Sequence, residues 1–472
     1  MSAEQRQALA LAARNDLYFF ILRVFQTLNP GAIFLENWHI EAIVHQLERV
    51  ERGETSRLVI TQPPRTMKSL ATSVAWVAYL LGRNPALKII CVSYSSDLAL
   101  TFARQFRQVV ESAWYKQAFP GTKAHRVTDD EFTTTKGGYR LTTSIGGTLT
   151  GRGADIIIID DPMKAEDAMS EAARRRVIDW YSTSLVSRLN DQDRGAIVLV
   201  MQRLHEEDLA GHVLGDPGWA HLDLPAIAQD TRIMELGRGR THVFREGDLL
   251  HPDYLSRKAL DRLRHDLGTF AFTAQYLQQP GSPQGNLIKW DWFRIFTESP
   301  PLHPGQVVMS IDTAHKTGDN DYSVCTIWVR RNGGDENLLV HVHRERLEYP
   351  DLLAKVKALI GEWNVYKVLI EDHGVGSALA QQLRQQSDVA IWGIKPKLDK
   401  AARFAKVTHL IEQGKVYVPM EALWLGEFKR ELSAFPHVRH DDQVDSVSQY
   451  LDWSDDAARS TTGQHEIIGL MG

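Results

Sequence analysis

Four consecutive isoleucines, Ile156 to Ile159, run straight into Asp160-Asp161-Pro162. β-Branched side chains at every position, without polar alternation, belong in a strand covered on both faces. Such strands lie inside parallel sheets that carry helices on either side. Similar runs recur at Leu58-Val59-Ile60-Thr61, Lys88-Ile89-Ile90-Cys91-Val92 and Ala196-Ile197-Val198-Leu199-Val200-Met201. Between them lie stretches such as Leu70 to Val77 that read as helix. The first half of the chain is therefore expected to be an α/β domain on a parallel sheet. Residues 1–56 read as a helical segment leading into it, with Ile40, Ile43, Leu47 and Val50 at helical spacing.

A second α/β pattern starts near Gln306. Val307 to Asp312 reads as a strand. Tyr322 to Arg330 and Asn337 to Arg344 read as two more, joined by the hairpin-like Asn332-Gly333-Gly334-Asp335. A helix (Asp351 to Trp363), a strand (Lys367 to Ile370) and a helix (Ser377 to Gln386) follow. Three meandering strands and then α/β alternation is the strand order of a ribonuclease H-like fold. Between the two halves, Gln278-Gln279-Pro280-Gly281-Ser282-Pro283-Gln284-Gly285 is the best linker candidate, since such residues build no core.

At 472 residues the chain has room for about three domains of roughly 150 residues each. The expected division is 57–215 for the first core, 216–300 for a subdomain and linker, 301–455 for the second core and 456–472 for a flexible tail. The charge balance, 54 basic against 59 acidic residues, gives a net charge of −5 and no global attraction for nucleic acid. A local basic groove would suffice for phosphate contacts. Two cysteines, Cys91 and Cys325, exclude a disulfide framework or a cysteine-built zinc site and fit a reducing cytosol. No apolar stretch approaches the roughly 18 residues of a membrane helix, and Met1 to Arg14 is not a secretory signal.

Gln62-Pro63-Pro64-Arg65-Thr66-Met67-Lys68-Ser69 lies between a strand and a helix, where backbone amides and the helix N-terminus can cradle a nucleotide phosphate. Lys68 can reach the β and γ phosphates, and the Ser69 hydroxyl can bind Mg²⁺. The usual pattern has glycine where Gln62 and Met67 stand. Asp160, delivered at the C-terminal edge of a buried parallel strand, is expected to hold the Mg²⁺ opposite Ser69. Together these features read as an ATPase.

The second half carries dispersed carboxylates. Asp312 ends its first strand, Glu371 and Asp372 end its fourth, and Asp441, Asp442 and Asp445 open a helix in His440-Asp441-Asp442-Gln443-Val444-Asp445. Acidic groups at adjacent strand ends and a nearby helix start can hold two Mg²⁺ or Mn²⁺ about 4 Å apart and cut a phosphodiester. Asp312, Glu371 and Asp442 are the minimal expected ligands, with Asp445 in support. Asp372 or Asp441 would replace them if the register shifts by one. Lys395, Lys397, Lys400, Arg403 and Lys406 follow the expected fifth strand and suit a DNA groove.

These motifs resemble the large terminase subunit of tailed bacteriophages, from about residue 30 to 453. Pro63-Pro64-Arg65 through Lys68-Ser69 is similar to its degenerate Walker A loop, and Asp160-Asp161-Pro162 to its Walker B end. Met201-Gln202-Arg203 with Glu206-Glu207-Asp208-Leu209 resembles its coupling motif, and Ala274-Gln275-Tyr276 through Gln279-Pro280 its approach to the linker. Glu371-Asp372, Gly414 to Pro419 and His440 to Asp445 resemble its nuclease half. The resemblance implies a P-loop domain of RecA/ASCE type, a ribonuclease H-like nuclease, ATP and double-stranded DNA. It also implies a small terminase partner and a pentameric ring on the portal protein, in the bacterial cytoplasm. Many members have Glu directly after the Walker B Asp, and here that place is Asp161. Either Asp161 or Glu166 can polarise the attacking water, with Glu166 slightly favoured. Arg65 or Arg152 can be the arginine finger; for each, the alternative is an ordinary salt bridge. Gln202 and Arg203 are expected to couple ATP hydrolysis to DNA binding, with Gln202 at the γ-phosphate edge. Trp38 and His39 resemble an adenine-contacting segment, and Arg174-Arg175-Arg176 reads as a solvated helix face.

Two other functions compete. A repair helicase–nuclease would need a second RecA-like domain, for which the roughly 80 residues between Met201 and the linker are too few. A decayed prophage remnant that only binds DNA would not be expected to keep Lys68 and all three nuclease positions.

Overall fold

The computed structural model describes residues 2–149, 151–281, 287–313, 322–396, 398–436 and 441–469. It divides into two compact units, Met1–Arg264 with Phe270–Gly281, and His265–Thr269 with Ser282–Gly472. The second half of the expected linker, from Ser282 to Gly285, lies outside the described residues.

The first unit is built on an eight-stranded sheet. In chain order its strands are β1 (Arg57–Thr61), β2 (Lys88–Ser93), β3 (Ala124–Val127), β4 (Glu131–Thr134), β5 (Tyr139–Ser144), β6 (Ile156–Asp160), β7 (Ala196–Met201) and β8 (Ala220–Asp223). They lie in the order β3-β4-β5-β2-β6-β7-β1-β8. From β5 to β8 every pairing is parallel. The isoleucine run is β6, at the centre. Ile156 and Ile158 bury into one core, with Leu58, Ile60, Val198 and Val200. Ile157 and Ile159 bury into another, with Val59, Ile197 and Leu199. The absence of polar alternation thus reflects two cores, one on each face.

Two features depart from expectation. The sheet continues past residue 215 into β8, which pairs with β1. A four-residue, half-exposed edge strand leaves little hydrophobic signal. The short antiparallel strands β3 and β4 likewise lack a long apolar run. A separate hairpin, β9 (Arg232–Gly237) with β10 (Arg240–Phe244), turns at Gly237-Arg238-Gly239, all at positive φ.

The second unit holds a seven-stranded sheet of β11 (Arg294–Phe296), β12 (Val307–Asp312), β13 (Ser323–Arg331), β14 (Glu336–Glu345), β15 (Lys367–Glu371), β16 (Ala390–Ile394) and β17 (Val416–Pro419). The order is β11-β17-β14-β13-β12-β15-β16. β12, β13 and β14 form the antiparallel meander, and β15, β16, β17 and β11 join in parallel. β11 places the start of this sheet before the expected boundary at 301. The helix Asp442–Gly469 continues through the stretch expected as a tail, whose residues 456–469 contain no proline and include the helix-favouring Ala457 and Ala458.

That helix docks through buried polar groups as well as a stripe of fully buried apolar residues, Val444, Val447 and Leu451. Ser446 Oγ donates to the Ser310 carbonyl (2.9 Å), and Gln449 Nε2 to Ser310 Oγ (2.9 Å). Tyr450 stacks on Trp328 with ring centroids 4.3 Å apart, and its hydroxyl donates to Asn337 Oδ1 (2.9 Å). Every buried group in this set needs its partner. Together they seat the helix on β12, β13 and β14. Among the described residues no helix is long and apolar enough to cross a membrane.

Candidate active sites

The register of the first sheet brings Thr61, Met201 and Asp160 to one edge. Thr61 pairs with Met201, and Asp160 lies between Val200 and Ser93. The chain leaves β1 there through Gln62 to Ser69, and Arg65 (φ 61°) and Met67 (φ 68°) adopt the left-handed conformation. Met67 thus takes the backbone shape that glycine would give at no steric cost, a strain of the kind that clusters at ligand sites. Thr66 Oγ1 donates to the Pro63 carbonyl (2.6 Å), and Gln62 Nε2 to the Thr66 carbonyl (3.2 Å). Gln62 Oε1 is buried without a hydrogen-bond partner among the described residues. The following segment, Leu70–Trp76, has π-helical turns before an ordinary helix resumes at Val77.

Five polar side chains meet at this edge. Lys68 Nζ lies 3.0 Å from Asp161 Oδ2 and is almost wholly buried. Ser69 Oγ donates to Asp160 Oδ1 (2.9 Å), and Ser73 Oγ to Asp160 Oδ2 (2.6 Å). Burial first, and then the charge of Asp161, push the Asp160 carboxyl up to about 7, against the opposing hydrogen bonds and Lys68. Ser73 was not anticipated from sequence, although its four-residue spacing from Ser69 puts both on one helical face. Asp161 sits at φ 44°, and its Oδ1 accepts from the Gln202 amide (3.3 Å). Gln202 is therefore beside the Lys68–Asp161 pair, with its Oε1 buried and unpartnered among the described residues.

Other expected residues lie elsewhere. Glu166 is exposed on a single 3₁₀ turn and pairs with Lys164 (3.4 Å), so the geometry reverses the preference for Glu166 over Asp161. Arg152 is held by Glu131 (2.7 Å) across the face of Tyr139, the salt-bridge alternative to a finger. Arg65 is exposed on the loop itself. Arg203 does not face the phosphate loop. Its guanidinium grips the fully buried Asp208 (3.0 Å) and the His205 and Glu206 carbonyls, closing the turn 203–208. The Arg203 amide donates to Gln278 Oε1 (2.9 Å), at the left-handed end of helix Arg257–Leu277. Arg174, expected in solvent, is buried between the Ala168 carbonyl and Glu207.

His39 touches the loop from the other side. Asn37 Nδ2 donates to His39 Nδ1 (2.6 Å), which leaves Nε2 to donate to the Thr66 carbonyl (3.3 Å). Burial, with a lesser push from His251, lowers the His39 pKa to about 4. Trp38 stacks on His242 with centroids 4.3 Å apart, and so packs on the β9–β10 hairpin.

In the second unit, parallel pairing of β12 with β15 sets the ends of these strands side by side, where Asp312 and Glu371 stand. Asp442 and Asp445 are buried in the first turn of helix Asp442–Gly469. Burial raises the Asp312 carboxyl well above its usual range, helped by the charges of Asp445, Asp442 and Glu371 and opposed by Lys400. Arg403 bridges Glu371 (3.0 Å) and Asp445 (2.7 Å), and Lys400 bridges Asp441 and Asp445 (2.7 Å each). Asp372 turns away and accepts from Ser377 Oγ (2.8 Å), so the register favours Glu371. Among the described residues no three acidic, histidine or cysteine side chains converge as they stand to hold an ion. The donor set is nonetheless all oxygen, as Mg²⁺ and Mn²⁺ require.

Two family profiles match the chain. "Terminase large subunit, T4likevirus-type, N-terminal" covers residues 59–295, and "Terminase RNaseH-like domain" covers residues 309–452. The chain belongs to the terminase large subunit family. It is an ATPase and a metal-dependent DNA endonuclease of viral DNA packaging. No curated protein matches it in sequence. Among solved structures, the large terminase of a thermophilic bacteriophage is similar in fold at 12% identity and a TM-score of 0.51, covering 92% of this chain and 98% of that one. The same terminase in complex with ADP aligns at 11% identity and a TM-score of 0.50, with the same coverage.

In this terminase the described cations expected in a DNA groove are each paired with carboxylates. Lys400 and Arg403 turn into the carboxylates, and Lys406 pairs with Asp452. The cause is helical spacing, since residues three apart share the face that packs on helix Asp442–Gly469. Lys395 is exposed, 4.0 Å from Asp372. Lys397 lies outside the described residues.

Proposed function

We propose that the loop Gln62–Ser69 binds ATP with Mg²⁺, and that Asp312, Glu371, Asp442 and Asp445 hold two Mg²⁺ or Mn²⁺ for DNA cleavage. The observation that carries the ATPase assignment is the convergence of Lys68, Ser69, Asp160 and Asp161 at one sheet edge. Lys68 would exchange Asp161 for the β and γ phosphates, while Ser69 and Asp160 hold the Mg²⁺. Asp161, freed from Lys68, is placed to orient the attacking water and take its proton. Gln202 offers its unpartnered Oε1 at the same place, and Arg65 is the finger this reading favours. The ADP complex of the thermophilic phage terminase supports a nucleotide here.

At the nuclease centre, two bound divalent ions would supply the Lewis acidity for phosphodiester cleavage. The role of the chain is to hold four carboxylates on three rigid elements, with Lys400 and Arg403 limiting their mutual repulsion. Lys395 is the exposed cation best placed to meet a DNA backbone there. Family membership supports double-stranded DNA as substrate, a portal protein and a small terminase subunit as partners, and a pentameric ring on the prohead in the bacterial cytoplasm. An assay of ATP hydrolysis and plasmid cleavage by the purified chain, with and without Mn²⁺, tests the reading. Lack of both activities would overturn it.

A further inference from the structure

Helix Asp442–Gly469 begins with the residues assigned above as metal ligands, and amides of its first turn are met by a side chain from outside the helix. The first amides of a helix have no partner within it, and a side chain just before the helix normally supplies one. The Asp441 carboxylate is drawn to Lys400. The acceptor from outside comes from another helix, Leu425–Ala434. Glu431 Oε1 accepts from the Gln443 amide (2.7 Å) and the Val444 amide (3.4 Å). Its Oε2 accepts from Gln443 Nε2 (2.6 Å). Arg344, on β14, backs the same oxygen at 3.9 Å, and its guanidinium lies 3.7 Å from the centroid of Tyr322. Glu431 and Gln443 are both buried.

We propose that Glu431 is a positioning residue of the nuclease: it fixes the rotation and depth of the helix start that presents Asp442 and Asp445 to Asp312 and Glu371. A buried carboxylate with three donors holds a helix end more tightly than water would, and its charge suits the positive pole of the helix. Glutamine at this place would remove the charge, leave one acceptor oxygen for the two backbone amides, and meet Gln443 Nε2 with a donor until that amide inverts. The helix start would then shift, and Asp442 and Asp445 would move together. Sequence reading missed Glu431 because its partner is twelve residues away on a different helix.

This inference rests on the assignment of Asp442 as a metal ligand, and the test separates the two. Mn²⁺ binding to the full-length chain is measured by electron paramagnetic resonance of the free ion, with thermal unfolding and ATP hydrolysis alongside. Asp442→Asn should lose most Mn²⁺ binding at this centre; full binding there would overturn the ligand assignment. Glu431→Gln should bind Mn²⁺ about 10–100-fold more weakly, the usual effect of losing a group that orients a ligand, with ATP hydrolysis unchanged. Gln443→Met, which removes only the side-chain bond, should lie between Glu431→Gln and the unmodified chain. Phe428→Ala on the same helix removes a buried ring without touching the cap, and should lower the melting temperature while leaving Mn²⁺ affinity unchanged. Unmodified Mn²⁺ affinity in Glu431→Gln, or in Gln443→Met should Glu431→Gln not fold, would overturn the proposal. So would an equal loss in Phe428→Ala.

Discussion

Lys68 Nζ lies 3.0 Å from Asp161 Oδ2, so the phosphate-loop lysine and the second Walker B carboxylate are ion-paired partners. Removing one of them leaves the other buried or half-buried beside Asp160, which is why each is expected to matter more than its exposure suggests.

The first prediction separates the two candidate bases. Asp161→Asn should slow ATP hydrolysis about 10²–10⁴-fold, the usual contribution of a positioned base. Glu166→Gln, altering an exposed surface pair, should leave turnover within about twofold of the unmodified rate. Phosphate release at saturating ATP is the measurement. The reverse order would return the role to Glu166.

Gln202 tests the coupling between the sheet edge and the segment beyond it. Its amide holds Asp161, and the next amide, that of Arg203, holds Gln278. Gln202→Ala should bind a fluorescent ATP analogue normally but lose most DNA-stimulated hydrolysis. Normal stimulation would reduce Gln202 to a strand cap.

A third prediction concerns pH. The His39 pKa is lowered to about 4 by burial, whereas the unfolded chain protonates near 6.5. The unfolded state therefore takes up the proton first as pH falls, and the stability is full above pH 6.5 and lost between 6.5 and 4. Between pH 7 and pH 5 the loss from this residue should be about 2 kcal/mol. Calorimetric unfolding of His39→Gln, which keeps a donor for the Thr66 carbonyl, should show that much less pH dependence than the unmodified chain. Identical pH profiles would contradict the buried neutral imidazole.

Arg403 offers a fourth. It bridges Glu371 and Asp445, and Arg403→Met leaves two carboxylates without that counter-charge. The second unit should lose about 3 kcal/mol of stability, and millimolar Mn²⁺ should restore part of it. No destabilisation would show that Lys400 alone suffices.

Much of this was legible because strand ends are marked in sequence. The isoleucine run located Asp160, and Val307 to Ile311 located Asp312, since buried strands in such sheets deliver their last residue to one edge. What remained hidden were side-chain choices made across long separations. Arg152 finds Glu131 on another strand, and Glu431 finds Gln443 on another helix. Neither pairing follows from local periodicity. Lys400 and Arg403 are a different case. Their three-residue spacing was visible, and it places both on one helical face, but net positive charge was read as a groove rather than as counter-ions. Helix Asp442–Gly469 was recognisable as a helix, while the polar bonds that seat it on Ser310 and Asn337 were not.

The central claim is that one chain carries two separate catalytic centres, one at Lys68 and one at Asp312. The most direct measurement assays ATP hydrolysis and Mn²⁺-dependent plasmid cleavage side by side for Lys68→Ala and Asp312→Asn. Lys68→Ala should lose ATP hydrolysis and keep cleavage. Asp312→Asn should cut orders of magnitude more slowly and keep ATP hydrolysis. Loss of both activities in either variant, or full activity in both assays, would contradict the account.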